Sequence, residues 1–219
     1  MGKSTLASHL AIWLFDLGFR VALLDTDEQQ TSAQWVTVAE PAITVVSAHE
    51  MDDIRTARSE LFASHEIVVA DSPGSGGDAS QTITLLADFA VVPLQPSKPD
   101  VRAIKDALKF VRLAQEMNAG ARPVLSLVLT FTAKADVQTR RLRSQLEQLG
   151  MSVAKAEVRR LNAFRDACDT AVTRNISRDG REAAGDLESL YNELFGECLA
   201  AIPKRRGEPP ESMEQAANG

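Results

Sequence analysis

A chain of 219 residues with 44% apolar and 25% charged side chains holds enough apolar material for one packed domain, which excludes a disordered or fibrous protein. Its formal net charge of −6 argues against binding nucleic acid through overall charge, and Cys168 and Cys198, which form no CxxC pair, read as buried or half-buried fillers rather than a disulfide scaffold. The longest apolar run, Pro123 to Phe131, is far short of a membrane span, and the Met1-Gly2 start has Leu6 where N-myristoylation wants Ser or Thr.

In chain order, the first element is Gly2-Lys3-Ser4-Thr5 opening a helix over 3–17, with Leu6, Leu10, Trp13, Leu14 and Leu17 on one face and Gly18 as its stop. The tetrapeptide is the second half of a phosphate-binding loop. There, backbone N–H groups at a helix N-terminus cradle phosphates, a Lys reaches the β/γ oxygens, and a Ser or Thr hydroxyl ligates Mg²⁺. The early glycines and feeding strand of the full loop are not written in the chain, so the signal takes its weight from carboxylates at fixed distances downstream. A buried strand over 20–25 ends on Asp25, with Asp27 on the same side two residues later, at the sheet edge where α/β proteins bind ligands. A helix over 30–38, a strand over 42–47 and a helix over 51–63 lead to a second apolar strand, 66–71. It ends on Asp71 and runs into Ser72-Pro73-Gly74, a Walker B pattern that delivers a carboxylate to a metal through water.

Beyond this lie a helix over 78–87, a strand over 88–93, a helix over 99–117, a strand over 123–131 and a helix over 135–149. A strand over 152–157 and helices over 162–172 and 181–201 complete the chain. The alternation predicts an α/β fold, a doubly wound, mostly parallel sheet with helices on both faces. The domain is expected over 1–202, with a disordered polar tail at 203–219, too polar for an amphipathic membrane helix.

Together these motifs resemble ParA/MinD-type ATPases of the deviant Walker A class, whose Lys-Gly-Gly-x-Gly-Lys-[Ser/Thr]-Thr loop is followed by Asp-x-Asp and Asp-x-Pro. The matching residues are Gly2-Lys3-Ser4-Thr5, Asp25-Thr26-Asp27 and Asp71-Ser72-Pro73, with Val91 to Ser97 and Arg160 to Ala167 similar to later elements of plasmid-partition members. The absence of paired cysteines sets the chain apart from iron–sulfur relatives. The resemblance implies ATP and Mg²⁺ as cofactors: Gly2, Lys3, Ser4 and Thr5 on the phosphates, Lys3 at the β/γ bridge, Ser4 on Mg²⁺, Thr5 on the α-phosphate and Asp71 on a metal-bound water. It implies Asp27 as the carboxylate that positions the attacking water and Asp25 as support for the metal shell; a capped strand end or a turn-forming Asp is the plain alternative for both. It also implies an ATP-dependent homodimer, a ParB-like or other centromere-binding adaptor, non-specific DNA, no membrane, and a cytoplasmic, nucleoid-associated protein. On this pattern Met1 stands at the variable loop position, and the coding sequence is expected to extend upstream. The alternative is a degenerate product with exposed sheet edges. Glu28 departs from the family's usual proline, which puts the hydrolysis rate in doubt.

Charge is unevenly spread. Residues 1–133 carry 10 basic and 16 acidic side chains, 134–181 carry 11 and 6, and 182–219 carry 3 and 8. The middle block includes Arg140, Arg141, Arg143, Arg159, Arg160 and Arg165, a candidate phosphate-backbone surface; the plain alternative is solvated helix faces paired with acidic neighbours. His9, His49 and His65 lack ligand spacing and read as surface or helix-packing residues, and Trp35 as a packing anchor. Two other readings stay open: another P-loop enzyme of this fold, such as an amidoligase or kinase, and a non-hydrolysing interaction module.

Overall fold

The computed structural model describes residues 2–74, 77–96, 101–120, 122–167 and 170–203, without the side chains of 101–104 and 106. Met1, Ser97, Cys168 and the expected tail beyond Pro203 lie outside the described residues. The elements run α1 (Lys3–Asp16), β1 (Val21–Asp25), α2 (Thr31–Ala39), β2 (Thr44–Ser47), α3 (Met51–Ser64), β3 (Ile67–Asp71), α4 (Asp78–Leu86) and β4 (Phe89–Leu94). They continue with α5 (Val101–Met117), β5 (Val124–Thr132), α6 (Val137–Gln148), β6 (Val158–Arg159), α7 (Asn162–Asp166), a 3-10 turn (Val172–Arg174) and α8 (Arg178–Ala200).

The strands are all parallel, as the α/β alternation predicts, but among the described residues they form two sheets of three strands, β2-β1-β3 and β4-β5-β6. Among the described residues, β3 and β4 each pair along one edge only. One apolar core runs under both sheets. It joins Val21 and Leu23 of β1, Val69 of β3 and Val128 of β5 to the inner faces of α1 and α8, and Tyr191 closes it by donating its hydroxyl to the Leu6 carbonyl, 2.9 Å away. On the opposite faces, Ala22 and Leu24 pack on α3 and α4, and Leu127 and Leu129 pack on α6. The period-two alternation of β1 therefore buries both its faces under helices, the doubly wound layering expected of a βαβ chain.

Two expected elements differ. The strand over 152–157 reduces to a single bridge between Leu127 and Val153 followed by the short β6. The main chain there is used elsewhere: Arg143 donates to the carbonyls of Ala154 and Lys155, and Glu193 accepts from the N–H groups of Lys155 (2.7 Å) and Ala156 (2.8 Å). The helix over 162–172 is α7 alone, with the 3-10 turn beginning at Val172. α8 starts three residues before its expected position because Ser177 caps it, accepting from the Gly180 N–H at 2.9 Å.

Side chains tie the C-terminal segment to the first two helices. Arg174 bonds Asp16 of α1 together with Glu40 and the Ala39 carbonyl at the end of α2. Trp35 of α2 donates its indole N–H to the Thr170 carbonyl at 3.2 Å and packs edge-on against His9, ring centroids 4.9 Å apart. A packing anchor was the role expected of Trp35, and a surface or helix-packing position that of His9.

Candidate functional site

The carboxyl ends of β1 and β3 meet the N-terminus of α1. Gly2 precedes that helix with φ +122°, a backbone that glycine adopts without strain, and no side chain caps the first turn. The first turn carries no acidic residue and instead carries Lys3, a cation at the positive end of the helix dipole. That arrangement is unfavourable until an anion arrives, and free N–H groups with a lysine beside them suit a phosphate. Lys3 arches over the β3–α4 loop, where a Cβ added to Gly74 would lie 3.2 Å from Nζ. Gly2 abuts Pro93 of β4 and Thr130 and Phe131 of β5, so this end of α1 reaches both sheets.

Asp25 and Asp71 are register partners on adjacent strands, and both are buried. The Ser4 and Ser32 hydroxyls favour the charged form of Asp71, yet its Oδ2 is buried with no partner. Burial pushes its carboxyl above the ordinary carboxylate range, opposed by the two serine hydroxyls and by Lys3 and reinforced by the charge of Asp25. A buried carboxylate oxygen without a donor, beside a serine hydroxyl on a phosphate-binding helix, fits a divalent cation. Among the described residues no three His, Cys, Asp or Glu side chains converge on a metal position.

Asp25, expected to support the metal shell, engages the turn that follows it with both of its oxygens. Its Oδ1 accepts from the Asp27 N–H at 3.0 Å, and its Oδ2 accepts from the Ser32 hydroxyl at 2.8 Å and the Ala33 N–H at 2.9 Å. Both oxygens thus fold the 26–31 turn onto the strand end, the plain alternative raised by the sequence. Thr26 pins the same turn to β3 through its N–H and hydroxyl, both donated to the Asp71 carbonyl at 2.9 Å. Asp27 is half-buried and accepts from the Gln29 N–H at 3.0 Å. Thr5 offers its carbonyl to His9 Nδ1 at 2.8 Å; burial drives the His9 pKa down to about 4, partly countered by that bond.

A family model described as the CobQ/CobB/MinD/ParA nucleotide binding domain matches residues 1–172. The chain belongs to this family. Over 201 residues it is 28% identical to the maintenance of carboxysome distribution protein A of Halothiobacillus neapolitanus, covering 89% of this chain and 91% of that protein. Its fold is that of the MinC:MinD cell division protein complex of Aquifex aeolicus, with TM-score 0.67 at 16% identity over 94% of this chain and 95% of that one. It is also that of cobyrinic acid a,c-diamide synthase from Mycobacterium smegmatis with bound ATP analog and magnesium, with TM-score 0.62 at 17% identity over 93% of each chain.

Gly2, Lys3, Ser4, Thr5, Asp25, Asp27 and Asp71, the residues the sequence singled out, all fall where the ends of β1 and β3 meet the start of α1. The arginines of the basic block differ in how far they are paired. Arg159 is committed to Asp186 and Glu182 of α8, and Arg143 to Glu157 and two main-chain carbonyls. Arg165 lies beside Asp166. Arg140, Arg141 and Arg160 are exposed, and among the described residues no ion pair engages them. Ser32, Thr26 and Gly74 escaped the sequence reading as site residues. The Thr31-Ser32 pair shortly after Asp-x-Asp was the available signal, since a hydroxyl at a helix start commonly bonds a nearby carboxylate or N–H. No helix among the described residues is long and apolar enough to cross a membrane.

Proposed function

We propose that this chain binds ATP with Mg²⁺ at the N-terminus of α1, hydrolyses it as an ATP-dependent homodimer, and uses that cycle to position a cargo along DNA in the cytoplasm. The cargo of this reading is plasmid or chromosomal DNA, engaged through a ParB-like or other centromere-binding adaptor, with the dimer holding nucleoid DNA without sequence preference. The observation that carries it is the buried, donorless Oδ2 of Asp71, a carboxylate whose charged form is favoured by the Ser4 hydroxyl and the Lys3 ammonium.

Each residue has its share of the work. The N–H groups that open α1 and the ammonium of Lys3 hold the phosphates and meet the charge that builds on the β/γ bridge oxygen. Ser4 offers its hydroxyl to the metal and Asp71 orients a metal-bound water, while Thr5 hydrogen-bonds the α-phosphate. Mg²⁺, held by Ser4 and through water by Asp71, would supply positive charge that offsets the charge developing on the phosphates. Asp27 sits at the rim of the site, half-buried, and accepts a hydrogen bond from the attacking water, aligning it with the γ-phosphorus. Asp25 acts one step back by fixing the turn that presents Asp27.

A second reading keeps the ATPase and changes the cargo to a protein body, favoured by the name of the 28% identical relative. One experiment covers the shared core: phosphate release with and without duplex DNA, and DNA binding across a salt series with ADP and with a slowly hydrolysed ATP analogue. A steep salt slope confined to the ATP-analogue state is expected. ATP binding without phosphate release would leave a non-hydrolysing module, and equal DNA affinity in both nucleotide states would remove the DNA arm.

A further inference from the structure

The turn that carries Asp27 is gripped from a neighbouring loop. Gln30, the residue before α2, has φ 51° and ψ 33°, the left-handed region that disfavours a side chain with a Cβ. Its N–H donates to the Asp27 carbonyl at 2.9 Å, and the Gln29 N–H donates to Asp27 Oδ1, so residues 27–30 form one closed turn with the carboxylate folded back on it. Asp25 fixes both ends of this turn, at the N–H groups of Asp27 and Ala33. The middle is fixed otherwise. The Gln30 side-chain amide lies 3.3 Å from His49 Nε2, and among the described residues this is the side-chain bond that joins residues 28–30 to another element.

His49 belongs to the segment between β2 and α3. Its neighbour Ala48 donates to the Asp25 carbonyl at 3.1 Å, so the two loops are laced together at the main chain as well. The imidazole is half-buried, and its Nδ1 is buried without a partner, a cost with no return in packing alone. Bonds inside the turn are local and survive whichever way the turn faces. Asp25 and Thr26 hold the ends of the turn; among the described residues, the His49 contact is the side-chain bond that refers the strained Gln30 itself to the frame of the sheet.

We propose that His49 is a positioning residue: through Gln30 it holds the 27–30 turn in its left-handed geometry and thereby sets where the Asp27 carboxylate points. The inference rests on the role proposed for Asp27 in hydrolysis. Strain of this kind persists only where surrounding contacts impose it, and such positions cluster at functional sites. Releasing His49 frees the turn to relax, so Asp27 is presented less often while the phosphate-binding residues stay as they were.

The experiment compares His49→Leu, His49→Gln, Gln30→Ala, the double variant His49→Leu/Gln30→Ala, and Asp27→Ala, in steady-state hydrolysis and in hydrogen exchange of the peptide spanning residues 26–31. His49→Leu should lower kcat about fivefold with the KM for ATP unchanged, the scale of one neutral hydrogen bond. His49→Gln, whose amide oxygen can accept in place of the lost Nε2, should restore it. Gln30→Ala should match His49→Leu, and the double variant should add nothing further. Exchange in the 26–31 peptide should rise in His49→Leu and return in His49→Gln, a readout independent of turnover. Unchanged exchange in His49→Leu, a His49→Gln no better than His49→Leu, or full multiplication of the two single effects overturns the proposal. Full activity in Asp27→Ala overturns instead the role of Asp27, and the exchange arm then decides alone whether His49 holds the turn.

Discussion

The carboxyl edge of β1 and β3 and the segment from Arg143 to Asp186 are both rich in charge, and they settle it in opposite ways. At the edge, Asp25 and Asp71 are buried beside a single lysine, one oxygen of Asp71 has no donor, and burial penalises its charge. In the segment, Arg159 meets Asp186 and Glu182, Arg143 meets Glu157, and Arg174 meets Asp16 and Glu40; these carboxylates hold the guanidinium groups of Arg159 and Arg174 more firmly protonated than usual. Charge left unmatched in the interior awaits a ligand, whereas charge matched within the chain holds elements together. A run of arginines in a sequence counts both kinds alike.

The largest expected effect breaks the unmatched edge. Lys3→Ala should weaken binding of a slowly hydrolysed ATP analogue by about a hundredfold or more, read by calorimetry, because a buried phosphate then lacks its cation. Asp71→Asn should lose the Mg²⁺-dependent thermal stabilisation by the same analogue. Without nucleotide the sign reverses: the raised carboxyl pKa means the fold carries a penalty once pH rises through that value. Asp71→Asn should therefore melt higher than the parent protein at neutral pH, and the two should converge in acid below the ordinary carboxylate range. An Asp71→Asn that is less stable than its parent at neutral pH would mean that the edge is settled internally after all.

Next comes Asp27. Asp27→Ala should leave analogue binding intact and lower hydrolysis by roughly a hundredfold, the scale of a positioned base. A parallel loss of affinity would make it a structural or metal-holding residue.

His9 sharpens the contrast from a third side, as a buried titratable group that is neither matched nor facing a ligand. Its folded pKa of about 4 lies below the ordinary 6.5, so its contribution to stability is present above pH 6.5 and is lost as pH falls toward 4. That loss is as much as about 3 kcal/mol. Denaturant midpoints measured between pH 7 and 4 should show a shallower acid decline in His9→Leu than in the parent protein.

The smallest effects separate the arginines. Arg159→Ala should cost about 2 kcal/mol of stability, since it strands two carboxylates that are only partly exposed. Replacing Arg140, Arg141 and Arg160 together should leave the denaturant midpoint within about 0.5 kcal/mol of its starting value. If DNA lies on that face, the same triple should reduce the slope of log affinity against log salt by up to about 3. A triple that binds DNA unchanged would move the DNA face elsewhere.

The glycine-lysine pair and the strand-ending aspartates were legible in the sequence because phosphate and metal chemistry needs them at fixed places along contiguous residues. The hydrogen-bond partners of Asp25 were not. Spacing brings a carboxylate to the edge, but whether it faces a cation or turns back onto the main chain depends on Ser32 and on the Ala33 N–H. The pairing of Arg159 was hidden because its carboxylates lie 23 and 27 residues further along, on a helix whose placement no local pattern reveals. The strand over 152–157 was misread for the same reason, its main-chain groups being claimed by Arg143 and Glu193 from distant elements.

The bond from Trp35 to the Thr170 carbonyl also makes the protein its own optical instrument. The chain has two tryptophans, and the other, Trp13, is 7% exposed and packed against Tyr191 in the core, a steady background. Trp35 rides on the helix that begins where the Asp27 turn ends, with its indole N–H committed to the segment that leads into α8. Indole emission changes colour with the polarity and bonding of that N–H. Any stroke of α2 during a nucleotide cycle is thus written into intrinsic fluorescence, and stopped-flow mixing with ATP can time it without a label.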